Sequence, residues 1–248
     1  FPGTYALMAR RHFHEHHSTH DDLVHISVKN HMHGFENQHA HLRKQVSFEK
    51  AASGFMVADP LTLYDCCPTS DGASCVILAA DHVVRQFTDD PVWVRSSGAG
   101  SDRLALHDRP TITQLMASQK AAKSAYSAAG ITAQDVDLAE VHDCFTIAEM
   151  IATEDLGFTE TGNGGVFARE GRGIRNQGDV CVNPSGGLKS KGHPLGATGT
   201  GQAVEVFKQL RGTVESQRQV RDAQIGITHN VGGSGATCAV HVFGRDRE

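Results

Sequence analysis

The chain has 248 residues, 39% hydrophobic and 21% charged, with 23 Lys plus Arg against 28 Asp plus Glu and a net charge of −5. That length can bury a sizeable core, and the acidic balance without any Lys/Arg run argues against nucleic acid as a partner. The longest apolar runs, such as "CVILAA", are far too short to span a membrane.

Six cysteines are present, Cys66, Cys67, Cys75, Cys144, Cys181 and Cys238, and none forms a C-x-x-C pair. A chain this long needs no disulfide staples, so reduced thiols in a reducing compartment are expected. The opening residues "FPGTYALMARRH" lack a signal-peptide pattern, and the closing "GRDRE" is not an S-K-L address.

Ten of the 16 histidines fall within residues 12–41. There "STHDDLVHISVKN" predicts a helix, with Thr19 as N-cap, Asp22 three residues on, and a partly apolar face of Leu23, Ile26 and Val28. This stretch reads as a polar helical segment rather than core. From residue 55, "GFMVADPLTLYDCCPTSDGASCVILAADHVV" predicts a short strand, a turn around Pro68 and Gly72, and an apolar strand over 73–80. A helix over 113–129 follows, stopped by Gly130. Strand 136–141 then leads into helix 146–156, and strand 179–183 leads through a glycine-rich loop into helix 199–211. Strands 224–230 and 236–243 close the chain. This alternation predicts an α/β fold with a mostly parallel sheet covered by helices.

In such sheets ligands gather at the carboxyl ends of strands. Three loops fall at those places: "VHDCF", "NPSGGLKSKGHPLGATGTG" and "HNVGGSGAT". In the second, His193 stands between Gly192 and Pro194, just before a helix N-terminus, where it could take a proton from a thiol. A glycine-rich turn holding a structural histidine has the same spacing. The loop is no phosphate cradle, since G-x-x-x-x-G-K-[ST] is absent and "GTGQAV" lacks the third glycine of G-x-G-x-x-G.

Cys144 lies at the end of a predicted strand, and its thiol can exchange protons once its pKa is tuned. His142, two residues earlier, shares its face on an extended strand, and Asp143 points the other way. A buried, inert cysteine fits the same pattern. Gly232, Gly233 and Gly235 offer clustered amides for an oxyanion, or simply make a turn. His12, His16 and His20 stand at i, i+4 and i+8, the spacing of one helical face, but no acidic or cysteine co-ligands are arranged with them, and no metal site is assigned.

Together these loops resemble the thiolases, enzymes that make or cleave 3-ketoacyl-CoA. "NPSGGLKSKGHPLGATGTGQ" is similar to the thiolase GHP loop. "HDCF" and "HNVGG" resemble the sterol carrier protein 2 (SCP2) type, and "FPGTYALMARRH" and "LYDCCPTSDGASCVILAAD" resemble its internal segments. The resemblance implies an α/β thiolase fold, layered αβαβα. It divides the chain into part of the loop domain (1–54), the last strands of the N-terminal half (55–90) and the C-terminal thiolase domain (91–248).

It also implies roles. His193 would activate a nucleophilic cysteine, Cys144 would act as acid and base, and His142 would help polarise the thioester oxygen. Gly232 and Gly233 would hold a second oxyanion, and Cys67 and Phe145 would lie along the substrate channel. Acyl-CoA and CoA are the expected substrates, no cofactor is expected, and a homodimer in a peroxisome or mitochondrion is the usual setting. The family's Cys-x-Ser or Cys-x-Gly nucleophile loop has no counterpart here, so the chain resembles the final part of a thiolase whose nucleophile lies upstream. Three other readings remain: a CoA binder of thiolase type without turnover, a ketoacyl synthase, and a metal-binding module. Retention of both Cys144 and His193 speaks against the binder, and HDCF with the proline after His193 speaks against the synthase.

Overall fold

The computed structural model describes residues 1–247. The first part of the chain runs through α1 (Pro2–His16), α2 (His20–Phe35), α3 (Phe48–Ala52), β1 (Met56–Ala58), β2 (Leu61–Thr62) and α4 (Asp81–Val84). There follow β3 (Trp93–Ser101), α5 (Met116–Ala129), β4 (Leu138–Glu140), α6 (Thr146–Asp155), α7 (Gly164–Arg169) and β5 (Cys181–Val182). The last elements are α8 (Gly187–Ser190), α9 (Thr198–Leu210), β6 (Ile225–Gly232) and β7 (Thr237–Gly244).

Five strands form one sheet in the order β3-β7-β6-β4-β5, beside a small β1–β2 hairpin. Side chains alternate along β4 as a strand requires. Leu138 packs with Val206 and Leu210 of α9 on one face, and Ala139 joins the α5 and α6 residues of the main core on the other. All ten residues of α6 are buried, so the helix that follows Cys144 is the centre of the molecule rather than a surface element.

The sheet is mixed, not mostly parallel. β4 runs parallel to β5 and β6, while β7 runs antiparallel to β6 and β3. The short turn after Gly232 makes β6 and β7 a hairpin, which can only be antiparallel. β3 was absent from the sequence expectation because "WVRSSGAGS" is small and glycine-rich. Those glycines serve packing: a Cβ on Gly98 would lie 2.0 Å from the carbonyl oxygen of Ala121, so the missing side chain is what seats α5 on the sheet.

Residues 73–80 form no strand. Ile77 is 93% exposed and Leu78 79% exposed. No strand among the described residues lies alongside to take this segment's backbone hydrogen bonds, and apolar composition alone does not make a strand.

α2 starts as expected, with Thr19 N–H donating to Asp22 Oδ2 at 2.8 Å and Asp22 closing the capping box. Its expected exposure is overturned. Asp22, Ser27, Lys29, Asn30, His31 and His33 are all buried, because the helix packs against α3, α6, α7 and α8 and finds partners for these groups there. α1 was not expected; Pro2 in its first turn and left-handed His17 at its end mark its limits. That break puts His12 and His16 on one helix and His20 on the next, so the three do not share a face. His12 is committed to Ser18 Oγ at 2.6 Å and Glu154 Oε1 at 3.0 Å.

Candidate active site

Three segments are laced together at the carboxyl end of β4. The "CCPTS" stretch bridges the HDCF loop through Cys66 and Phe145, with Cys67 N–H donating to the carbonyl of Cys144 at 3.0 Å. Further along, Thr69 pairs with His193, and His193 N–H donates to Ser70 Oγ at 3.3 Å. One strand-like segment thus spans both loops.

Asp143 ties the same loops from beneath, pointing away from the site as the sequence alternation implied. Its carboxylate accepts from Leu188 N–H at 2.6 Å, Lys189 N–H at 3.2 Å and Asn30 Nδ2 at 2.8 Å. Gly187, at φ 62°, makes the approach possible: a Cβ there would sit 2.3 Å from Asp143 Oδ2. Asn30 also donates to Glu149, which pairs with Lys29 at 2.9 Å and accepts from Asn183 at 2.8 Å. Burial, then the neighbouring Glu149, pushes the Asp143 carboxyl up to about 7, against the pull of its amide donors.

The two site histidines meet. The rings of His142 and His193 stand edge to face with centroids 5.0 Å apart. His193 Nδ1 lies 2.7 Å from Thr198 Oγ1, and that hydroxyl donates to the Pro194 carbonyl at 3.1 Å. A hydroxyl has one proton, so Nδ1 is the protonated nitrogen and Nε2 keeps its lone pair. Burial, and then Lys191, hold the His193 pKa below the ordinary value, which keeps the ring neutral with the Nε2 lone pair free. His142 is pressed down to about 3, first by burial and then by His193 and His229.

His229, of "HNVGG", completes the group. Its Nδ1 accepts the His142 N–H at 3.5 Å, and its Nε2 faces Ser118 Oγ at 2.9 Å. Burial lowers it to about 4, so it is a neutral brace for the HDCF backbone. Sequence reasoning took this loop for its amides and passed over the imidazole.

Cys144 faces a different wall. It is buried, no hydrogen bond among the described residues joins it to either imidazole, and burial pushes its thiol up to about 12. Cys67 is its neighbour across the bridge, its thiol pushed up to about 11 chiefly by burial, and Tyr5 of α1 belongs to the same core. Tyr5 stacks on Phe145 with ring centroids 4.6 Å apart. Cys67 and Phe145 both lie beside Cys144. Nothing in "FPGTYALM" marked Tyr5 as a site residue.

Gly232 ends β6 and Gly233 opens the β6–β7 turn. A Cβ on them would meet Thr237, Leu104 and Ala236, and none of His142, Cys144 or His193. Arg109 donates to the carbonyls of Arg103, Leu104 and Ser234, fastening this turn to the β3–α5 connection. A cavity of about 760 Å³ opens beside the GHP loop, lined by His39, His41, Ser70, Lys191, Thr198 and Glu205 among others; neither His142 nor Cys144 lines it. Among the described residues no group of three His, Cys, Asp or Glu side chains is placed to hold a metal ion, and no helix is long and apolar enough to cross a membrane.

Residues 98–245, from within β3 to just past β7, match the family described as Thiolase C-terminal domain-like. The chain belongs to this thiolase family. It is 51% identical over 245 residues to an acetyl-CoA acetyltransferase of Methanothermobacter thermautotrophicus, covering 99% of this chain and 63% of that one. It is 35% identical over 240 residues to sterol carrier protein 2 of Bos taurus, covering 95% of this chain and 44% of the relative. Among solved structures, an Ltp2–ChsH2(DUF35) aldolase superposes with a TM-score of 0.87 at 22% identity, over 99% of this chain and 63% of that chain. At that identity the likeness is one of fold. The resemblance to SCP2-type thiolases read from HDCF and the GHP loop stands, and this thiolase chain spans less than two-thirds of the length of those relatives.

Proposed function

We propose that the full-length protein is an SCP2-type thiolase, cleaving 3-ketoacyl-CoA with CoA or running the reverse Claisen condensation. The observation that carries this reading is the His142–His193 pair at 5.0 Å, with His193 Nε2 left basic by Thr198, beside a buried Cys144 on the same loop as His142.

Thiolysis needs a nucleophile, a proton carrier and donors for developing oxyanions. The nucleophilic cysteine lies upstream of Phe1 in this reading. His193 Nε2 takes its proton, and the thiolate adds to the 3-keto carbon. Neutral His142, whose ring meets that of His193, directs an N–H toward the oxygen that gains charge. When the Cα–Cβ bond breaks, the acetyl-CoA enolate takes a proton from Cys144, leaving a thiolate there. CoA–SH then returns a proton to Cys144 and attacks the acyl-enzyme, releasing the shortened acyl-CoA. The amides of Gly232 and Gly233 are assigned the second oxyanion, and Cys67 and Phe145 the channel wall. CoA is a substrate, no cofactor is needed, and the working form is a homodimer.

Conversion of Cys144 or His193 to Ala in the full-length protein should lower thiolysis of a 3-ketoacyl-CoA at least 100-fold while leaving the circular dichroism spectrum intact. Wild-type turnover in either variant would remove that residue from its role.

A further inference from the structure

We infer that Lys189 is a positioning residue for Cys144, holding its backbone through the Cys66–Cys67 peptide. The inference deepens the thiolase reading and rests on it for its catalytic consequence; the anchoring itself is a property of the fold.

A lysine is costly to bury, and Lys189 is only 2% exposed. It joins none of the ion pairs among the described residues, unlike Lys29 and Lys191, which face Glu149 and Glu140. Its Nζ donates instead to the carbonyl of Cys66 at 2.8 Å. That carbonyl is one end of the peptide unit whose other end, the Cys67 N–H, donates to the Cys144 carbonyl at 3.0 Å. The two bonds run in one direction, from Lys189 to the Cys144 backbone. A cation at the carbonyl end polarises the peptide, so its N–H becomes the stronger donor.

The other end of the lysine is tied to the same place. Its backbone N–H donates to Asp143 Oδ2 at 3.2 Å, and Asp143 is the residue before Cys144. The path therefore closes on itself: Lys189 side chain, Cys66–Cys67 peptide, Cys144 carbonyl, Asp143 carboxylate, Lys189 amide. Asp65 fixes the stretch before Cys66 separately, accepting from Thr62 N–H and Thr146 Oγ1, each at 2.7 Å. Lys189 is what reaches the peptide facing Cys144. In the assigned cleavage step the S–H bond of Cys144 breaks, the enolate carbon gains the proton and sulfur keeps the electron pair. That transfer tolerates little displacement, since a shift of about 1 Å can cost about 100-fold in rate.

The test is Lys189→Met in the full-length protein, which keeps an unbranched apolar stem and removes the donor. Hydrogen exchange of the Cys67 amide, resolved by peptide fragmentation and mass, should quicken about tenfold. Exchange of the acetyl-CoA methyl protons in D₂O, the step given to Cys144, should slow about 10–100-fold. Acylation of the nucleophile, the step given to His193, should stay within about threefold of wild type, so that kcat for thiolysis falls while KM changes little. Methyl-proton exchange at the wild-type rate would overturn the inference, whatever the Cys67 amide shows. Equal losses of methyl exchange and acylation would overturn it too, as the mark of a general structural role. If Lys189→Met fails to fold, Lys189→Gln, which keeps a polar head but loses the charge and the reach, is judged by the same two rates. Methyl exchange persisting in Cys144→Ala would instead sink the thiolase assignment of Cys144, and the Cys67 amide would still report the anchor.

Discussion

Asp143 offers the sharpest link between sequence, packing and site. Its substitution by Ala would strand Leu188 N–H, Lys189 N–H and one Asn30 N–H in a region where all three residues are buried. Orphaned buried donors cost about 1–3 kcal/mol each, so the gross loss is roughly 3–9 kcal/mol. Removing the carboxylate also relieves the burial of a negative charge beside Glu149, the same penalty that lifts its pKa to about 7. That relief offsets several kcal/mol, leaving a net loss of roughly 2–4 kcal/mol at pH 8. For a chain of this size the midpoint of thermal unfolding should fall by about 5–15 °C. Thiolysis should fall with it, by about 100-fold, because the HDCF and GHP loops lose their shared anchor. Asp143→Asn, which keeps one acceptor for Leu188, should lie between Ala and wild type. The measurement is differential scanning calorimetry of the full-length protein. An Ala variant melting within 2 °C of wild type would refute the idea that these amides depend on Asp143.

Three further outcomes follow from the same geometry. Thr198→Val should lower turnover about 10–100-fold while Thr198→Ser preserves it, since only a hydroxyl fixes the His193 tautomer; steady-state thiolysis of both variants decides this. Gly98→Ala should destabilise the fold by at least about 1–3 kcal/mol, because the new methyl would lie 2.0 Å from the Ala121 carbonyl; chemical denaturation reports it. Asp155, pushed up to about 7 by burial while Leu115 N–H and Gln119 pull it back, binds a proton in the folded state that it lacks unfolded between about pH 4 and 7. Its contribution is present at low pH and lost as pH rises through 7. Asp155→Asn should therefore gain on wild type by up to about 1.4 kcal/mol per pH unit across that window, and parallel stability curves would count against it.

Much of the site was readable in the sequence because its motifs are local. HDCF and GHP each place their own histidine or cysteine by short-range geometry, and the alternation that turns Asp143 away from Cys144 is a property of extended chain. The helices ended where their signals lay, as Gly130 at φ 68° after α5 shows. What could not be read depends on distant partners. Lys29 and Asn30 look like surface residues of a polar helix until Glu149 and Asp143 are placed beside them. Tyr5 and His229 lie in segments with no nucleophile or acid nearby in sequence, yet Tyr5 stacks on Phe145 and His229 braces His142. β3 hid behind small residues whose purpose is the close seat of α5, and residues 73–80 carry strand composition without a strand among the described residues to pair with.

The most direct measurement is exchange of the acetyl-CoA methyl protons in D₂O, followed by NMR alongside intact-mass detection of the acyl-enzyme, in full-length wild type, Cys144→Ala and His193→Ala. Loss of exchange with retained acylation in Cys144→Ala, and loss of acylation in His193→Ala, are the expected results. Exchange at the wild-type rate without the Cys144 thiol would contradict the assignment of this buried cysteine as the proton carrier.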